Sequence, residues 1–176
     1  MLKGKFLLAC SLVGLLSVGC QNNKKKNSND VVSERYIHKY GYDVARSEWL
    51  ANAYPGQVIT TLKNGVTVTA GYENGVLHGQ TTYTYPHSQT LESLYLYEKG
   101  NLIKKVSYDV RGMPYREDLT LSDTRVKSKY WYNTGTPKCA EEIDSNTLTN
   151  GEYFTLKNEL ESKVDHGNGV RTIRDK

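Results

Sequence analysis

The chain holds four histidines, His38, His78, His87 and His166, none of them at metal-ligand spacing from another histidine or a cysteine. His78 reads most simply as a residue that packs or hydrogen-bonds in its own turn. Cys139 with a distant histidine would make a nucleophile and its base. Thr136-Pro137-Lys138 instead leads it onto a predicted strand, where no helix N-terminus lowers a thiol pKa, so it reads as a structural thiol. Glu117-Asp118 and Glu141-Glu142 are adjacent in sequence, which on a strand turns the partners to opposite faces. They read as solvated edge charges rather than as acid/base pairs. The sequence contains no Gly-x-Ser-x-Gly elbow and no phosphate loop. The expectation is a chain with no catalytic residue, no metal, no cofactor and no small-molecule substrate.

The elements that would position these residues are read from tyrosine and glycine. Fourteen tyrosines stand against two phenylalanines and two tryptophans, which suits a thin sheet whose rings pack while their hydroxyls stay wet. Tyr83, Tyr85, Tyr95, Tyr97, Tyr108, Tyr130 and Tyr132 form either a ladder to which a peptide, a glycan or a partner docks, or the core itself. The core is favoured, because too little apolar area remains without these rings.

Glycines close short polar turns at Gly65, Gly100, Gly135 and Gly169, in steps of 35, 35 and 34 residues, the mark of a repeat array. A second series, Gly75, Gly112 and Gly151, drifts at 37 and 39. Asn64-Gly65, Asn74-Gly75 and Asn150-Gly151 are the strongest hairpin signals, since both residues tolerate the positive φ of a type I′ turn. Eleven strands are predicted: 58–62, 66–72, 80–85, 90–97, 102–108, 115–121, 125–132, 138–143, 152–156, 160–165 and 170–173. The fold class is therefore mainly β, an antiparallel meander of β-hairpin repeats with one short N-terminal helix over 43–51, Asp43 being its possible N-cap. Each 35-residue step holds three strands. A strict meander then places Gly65 and Gly135 on one rim and Gly100 on the other.

The N-terminus reads as a targeting signal: Lys3 and Lys5, an apolar run from Phe6 to Leu16, then Ser17, Val18 and Gly19 ahead of Cys20. The run is shorter than the roughly 20 apolar residues of a membrane span. The segment resembles a bacterial lipoprotein signal peptide cleaved between Gly19 and Cys20, with Ser17 where the lipobox has leucine. The resemblance implies lipid attachment at Cys20, while ordinary signal peptidase would cut the same bond. With Cys10 removed and Cys20 lipidated, only Cys139 remains and no intramolecular disulfide forms. The domains read as signal peptide 1–19, lipidated cysteine and polar tether 20–33, N-terminal cap 34–56 and repeat domain 57–176. From Glu34 onward 18 basic residues balance 18 acidic ones, which gives no basic face for nucleic acid.

Tyr72-Glu73-Asn74-Gly75-Val76-Leu77-His78-Gly79, followed by a strand ending at Tyr83, resembles the MORN repeat. Tyr97-Glu98-Lys99-Gly100 and Tyr132-Asn133-Thr134-Gly135 resemble the looser bacterial YwqK-type variant. The resemblance covers roughly residues 58–174 and adds Gly79 to Gly65, Gly75, Gly100, Gly112, Gly135 and Gly169 as repeat-turn glycines. It implies a non-enzymatic platform for protein contacts near a membrane. Together with the export signal, the expectation is a lipid-anchored envelope protein at the outer membrane or periplasmic face. An intracellular antitoxin-like partner protein is the alternative, because YwqK-type proteins carry that label; an envelope hydrolase is third.

Overall fold

The computed structural model describes residues 30–174, and in it strand alternation and turn chemistry produce one sheet. Its strands are β1 (Val31–His38), β2 (Asp43–Val44), β3 (Gly56–Leu62), β4 (Thr67–Glu73), β5 (Val76–Thr84), β6 (Leu91–Glu98) and β7 (Asn101–Tyr108). They continue as β8 (Pro114–Thr120), β9 (Arg125–Trp131), β10 (Pro137–Asp144), β11 (Thr147–Phe154), β12 (Leu160–Asp165) and β13 (Asn168–Gly169). From β3 to β13 each strand pairs with the next, and β1 lies beside β3 with β2 outside it. The fold is an open antiparallel meander with one short helix, α1 (Arg46–Asn52), as expected.

The repeat is shorter than the glycine spacing suggests. Along one rim the turns open at Leu62, Tyr85, Asp109, Tyr132 and Thr155, at steps of 23, 24, 23 and 23. Leu62, Asp109, Tyr132 and Thr155 each donate to the carbonyl four residues on and accept from the N–H three residues on. The position that donates this second bond has positive φ and holds Gly65, Gly112, Gly135 and finally Asn158. On the opposite rim are two-residue turns with both φ positive, at Asn74-Gly75, Lys99-Gly100, Ser145-Asn146 and His166-Gly167. One repeat is thus a hairpin of about 23 residues, and the 35-residue step is a hairpin and a half. Gly65 and Gly135 share a rim and Gly100 lies on the other, as the strict meander requires.

Other expectations are corrected. Asn64 is not at positive φ; its side chain accepts from the Val66 N–H, so Asn64-Gly65 is not a type I′ turn. Asn150-Gly151 is not a turn at all but lies inside β11, which begins at Thr147. Gly79 sits at φ +74 in a β5 bulge, where two extra residues face the β4 strand between Ala70 and Tyr72. Gly169 follows a turn closed by Gly167 and lies in β13. Residues 170–173 do not form a strand. Asp43 is no N-cap: it pairs in β2 against Ile37, and Ala45 caps α1 without a side-chain hydrogen bond. The sheet starts at Val31, inside the segment read as tether, so residues 34–56 are part of the sheet as well as its cover.

Directly paired residues share a face. One face carries the row Ala70, Thr81, Tyr95, Lys105, Asp118, Ser128, Glu141, Gly151 and Val164. A parallel row two residues away holds Val68, Tyr83, Ser93, Ser107, Arg116, Tyr130, Cys139, Tyr153 and Ser162. This inner face holds most of the buried residues, many of them small and hydroxylated. At its N-terminal end α1 lays Trp49 against Tyr36 and Tyr72, ring centroids 5.7 and 6.2 Å away.

Candidate functional site

Glu141 is the charged side chain that the sheet buries most deeply among the described residues, with 7% of the residue exposed. It faces inward from β10, opposite Gly151. A methyl group at Gly151 would stand 2.7 Å from the Tyr153 hydroxyl. The missing side chain is therefore what lets the Tyr153 ring, 1% exposed, lean back and donate to Glu141 at 2.7 Å. Burial, followed by the hydrogen bond and charge of Glu141, pushes the Tyr153 pKa well above its ordinary value. The carboxylate is completed from outside its hairpin. Arg171 donates from Nε at 2.8 Å and from Nη2 at 3.0 Å, one nitrogen to each oxygen. The same hydrogen bonds and charge raise the Arg171 pKa.

The preceding hairpin shows the same positions filled differently, 23 residues earlier. Asp118 stands for Glu141, Ser128 for Gly151, Arg116 for Cys139 and Tyr130 for Tyr153. Ser128 donates to Asp118 at 2.7 Å and Arg116 Nε at 3.0 Å, so both donors come from β8 and β9. The Arg116 guanidinium lies over the Tyr130 ring, 5.3 Å from its centroid. In the later hairpin Cys139 and Gly151 supply no donor to replace them. Tyr153 takes the place of the serine, and Arg171 comes from the segment after β13.

That segment, residues 170–174, lies against the inner face of β11 and β12. Val170 N–H donates to the Lys163 carbonyl at 3.0 Å, and the Thr172 and Ser162 hydroxyls meet at 2.7 Å. Arg174 donates to the Phe154 carbonyl at 3.1 Å, pairs with Glu161 and places its guanidinium 5.9 Å from the Tyr132 ring centroid. Tyr132 in turn donates to the same carbonyl at 2.7 Å.

The residues singled out from sequence disperse over this frame. His38 is buried and packs on the rings of Tyr40, Tyr42 and Tyr54. His78 joins two turns: its Nδ1 accepts from Lys99 N–H at 3.4 Å and its Nε2 lies 3.4 Å from Glu73. The His87 ring covers Gly65, and His166 is exposed beside Asp165. Cys139 has its pKa raised by burial and then by Glu141, against nucleophilic use. Among the described residues no three histidine, cysteine, aspartate or glutamate side chains converge on a metal-sized site.

The tyrosines separate into groups. Tyr83, Tyr95 and Tyr97 pack together, with Lys105 over the Tyr95 ring. Tyr85 and Tyr132 instead brace successive hairpins, their hydroxyls donating to carbonyls 23 and 22 residues on. Glu117 and Asp118 do face opposite ways, Glu117 pairing with Lys104 at 2.6 Å. Glu141 is no solvated edge charge. Sequence reading missed it because β10 read alone does not distinguish Glu141 from Glu142. The 23-residue offset between Asp118 and Glu141 was the available signal.

Gly19 and Cys20 lie outside the described residues, within which no helix is long and apolar enough to cross a membrane. No family model matches the chain, and no curated protein does.

Proposed function

We propose that the chain is an exported protein, anchored to an envelope membrane by a lipid on Cys20, whose hairpin array of the MORN or YwqK kind binds another protein without catalysing a reaction. The export half rests on Lys3, Lys5, the apolar run 6–16 and Gly19-Cys20. The binding half is carried by one observation: a thirteen-strand open sheet whose inner face presents tyrosine, arginine and carboxylate groups instead of a sealed aliphatic core. Twelve strand spacings make it roughly 58 Å across, a length suited to extended contact.

Metabolic labelling with a radioactive fatty acid, followed by fractionation in a bacterial host, tests the anchor. The wild-type chain is expected to take up label and sediment with membranes. Cys20→Ala is expected to lose both. Equal membrane retention of Cys20→Ala would defeat the anchor, and recovery of uncleaved chain in the cytosol would favour the antitoxin-like alternative.

A further inference from the structure

We propose that Glu141, Tyr153, Tyr132 and the Phe154 carbonyl form a recognition site for arginine, which an extended segment of a partner protein occupies in place of residues 170–174. The proposal rests on the binding half of the reading above and is independent of the anchor.

The site and its present occupant are held in different ways. Glu141 stands inside the ladder with β9 on one side and β11 on the other, and Tyr153 is the most completely buried side chain described. When the arginine leaves, the ladder and the Tyr153 hydroxyl still hold the carboxylate in place, so it keeps its position and its need for a cation. The occupant is fastened differently. Among the described residues beyond β13 its one backbone–backbone hydrogen bond to the sheet is Val170 to Lys163; side chains make the other contacts. Its apolar residues are turned to solvent, Val170 being 66% exposed and Ile173 78%. A segment held by side chains, with its apolar groups unburied, belongs to the least stable part of a fold.

The chemistry of the site specifies the partner. Both carboxylate oxygens accept from one guanidinium, a fork that lysine does not match. Three residues on, a carbonyl and a tyrosine ring receive a second guanidinium. The ligand is thus an extended peptide with arginines at positions i and i+3, the spacing of Arg171 and Arg174. The neighbouring hairpin is closed to such a ligand, since Arg116 already pairs with Asp118.

The test titrates a synthetic peptide repeating residues 168–174 into the full chain carrying Arg171→Ala and Arg174→Ala, with circular dichroism as the check on folding. Calorimetry should show one site. Binding should fall by at least about tenfold when the first peptide arginine becomes lysine, and likewise when Glu141→Gln is added to the protein. In the unsubstituted chain, saturating peptide should accelerate hydrogen exchange at Val170 N–H, because the segment is displaced. Absence of binding to the folded double variant would overturn the proposal, as would equal binding of the lysine peptide. If the double variant does not fold, unchanged Val170 exchange in the wild-type chain under saturating peptide overturns it alone. A wild-type dimer that the peptide dissociates would assign the site to the segment of a second copy and overturn the partner assignment.

Discussion

The hairpins β8–β9 and β10–β11 have the same length and place the same four positions on the inner face, yet only the first completes its own carboxylate. Asp118 receives Ser128 and Arg116 from its own two strands. Glu141 receives Tyr153 from the facing strand but must draw Arg171 from beyond β13. Three exchanges account for this: arginine to cysteine at 139, serine to glycine at 151, and aspartate to the longer glutamate at 141. The cysteine removes a cation, the glycine removes a hydroxyl and opens space, and the tyrosine ring fills that space from below. A repeat protein can thus build a site by deleting a contact from one unit, leaving the scaffold unchanged.

The largest effect that separates the two hairpins is expected from Gly151→Ala. Its methyl would meet the Tyr153 hydroxyl at 2.7 Å, with the ring carbons at 3.0 and 3.1 Å. Overpacking of this kind costs about 1–3 kcal/mol, to which the weakened bond to Glu141 adds. Ser128→Ala in the self-sufficient hairpin is expected to cost about 1 kcal/mol, the lost hydrogen bond alone. Denaturant titration of both variants checks the order; equal midpoints would mean that the two hairpins are not specialised as described.

A smaller effect distinguishes them in alkali. Because the Tyr153 pKa is raised in the folded chain, its contribution is fully present below about pH 10 and is lost as pH rises through the folded value. Tyr153→Phe should therefore flatten the loss of stability above about pH 10. It should leave some slope behind, since burial also raises Tyr72 and Tyr83. A slope identical to wild type in a pH series of thermal melts would contradict the assignment.

Much of the meander was legible because its turns announce themselves: Asn74-Gly75 and Lys99-Gly100 need positive φ, and threonine, valine and tyrosine mark the strands between. The period was misread because glycine serves both rims. Gly100 on one rim stands midway between Gly65 and Gly135 on the other, so a 23-residue hairpin produced a 35-residue beat. Asn158 then takes the glycine position in the last turn of the rim that Gly65 and Gly135 share, hiding a further repeat. Asn150-Gly151 misled for a physical reason: glycine there answers to the volume of a tyrosine two residues on, not to backbone conformation. The short helix starts at Arg46 and not at Asp43, because Asp43 is drawn into β2, where it pairs with Arg35 at 3.1 Å. Arg171 was illegible, since its partner lies 30 residues away and only the sheet brings them together.

The central claim, that residues 170–174 supply an arginine which the earlier hairpin carries in its own strand, is tested most directly by Cys139→Arg. This substitution places on β10 the residue that β8 has at Arg116. Residue-resolved hydrogen exchange on the full chain should then show Val170 N–H losing its protection as the new arginine takes Glu141, while the β10–β11 amides keep theirs. Val170 protection that persists unchanged, with the β10–β11 ladder intact, would contradict the equivalence of the two arginines.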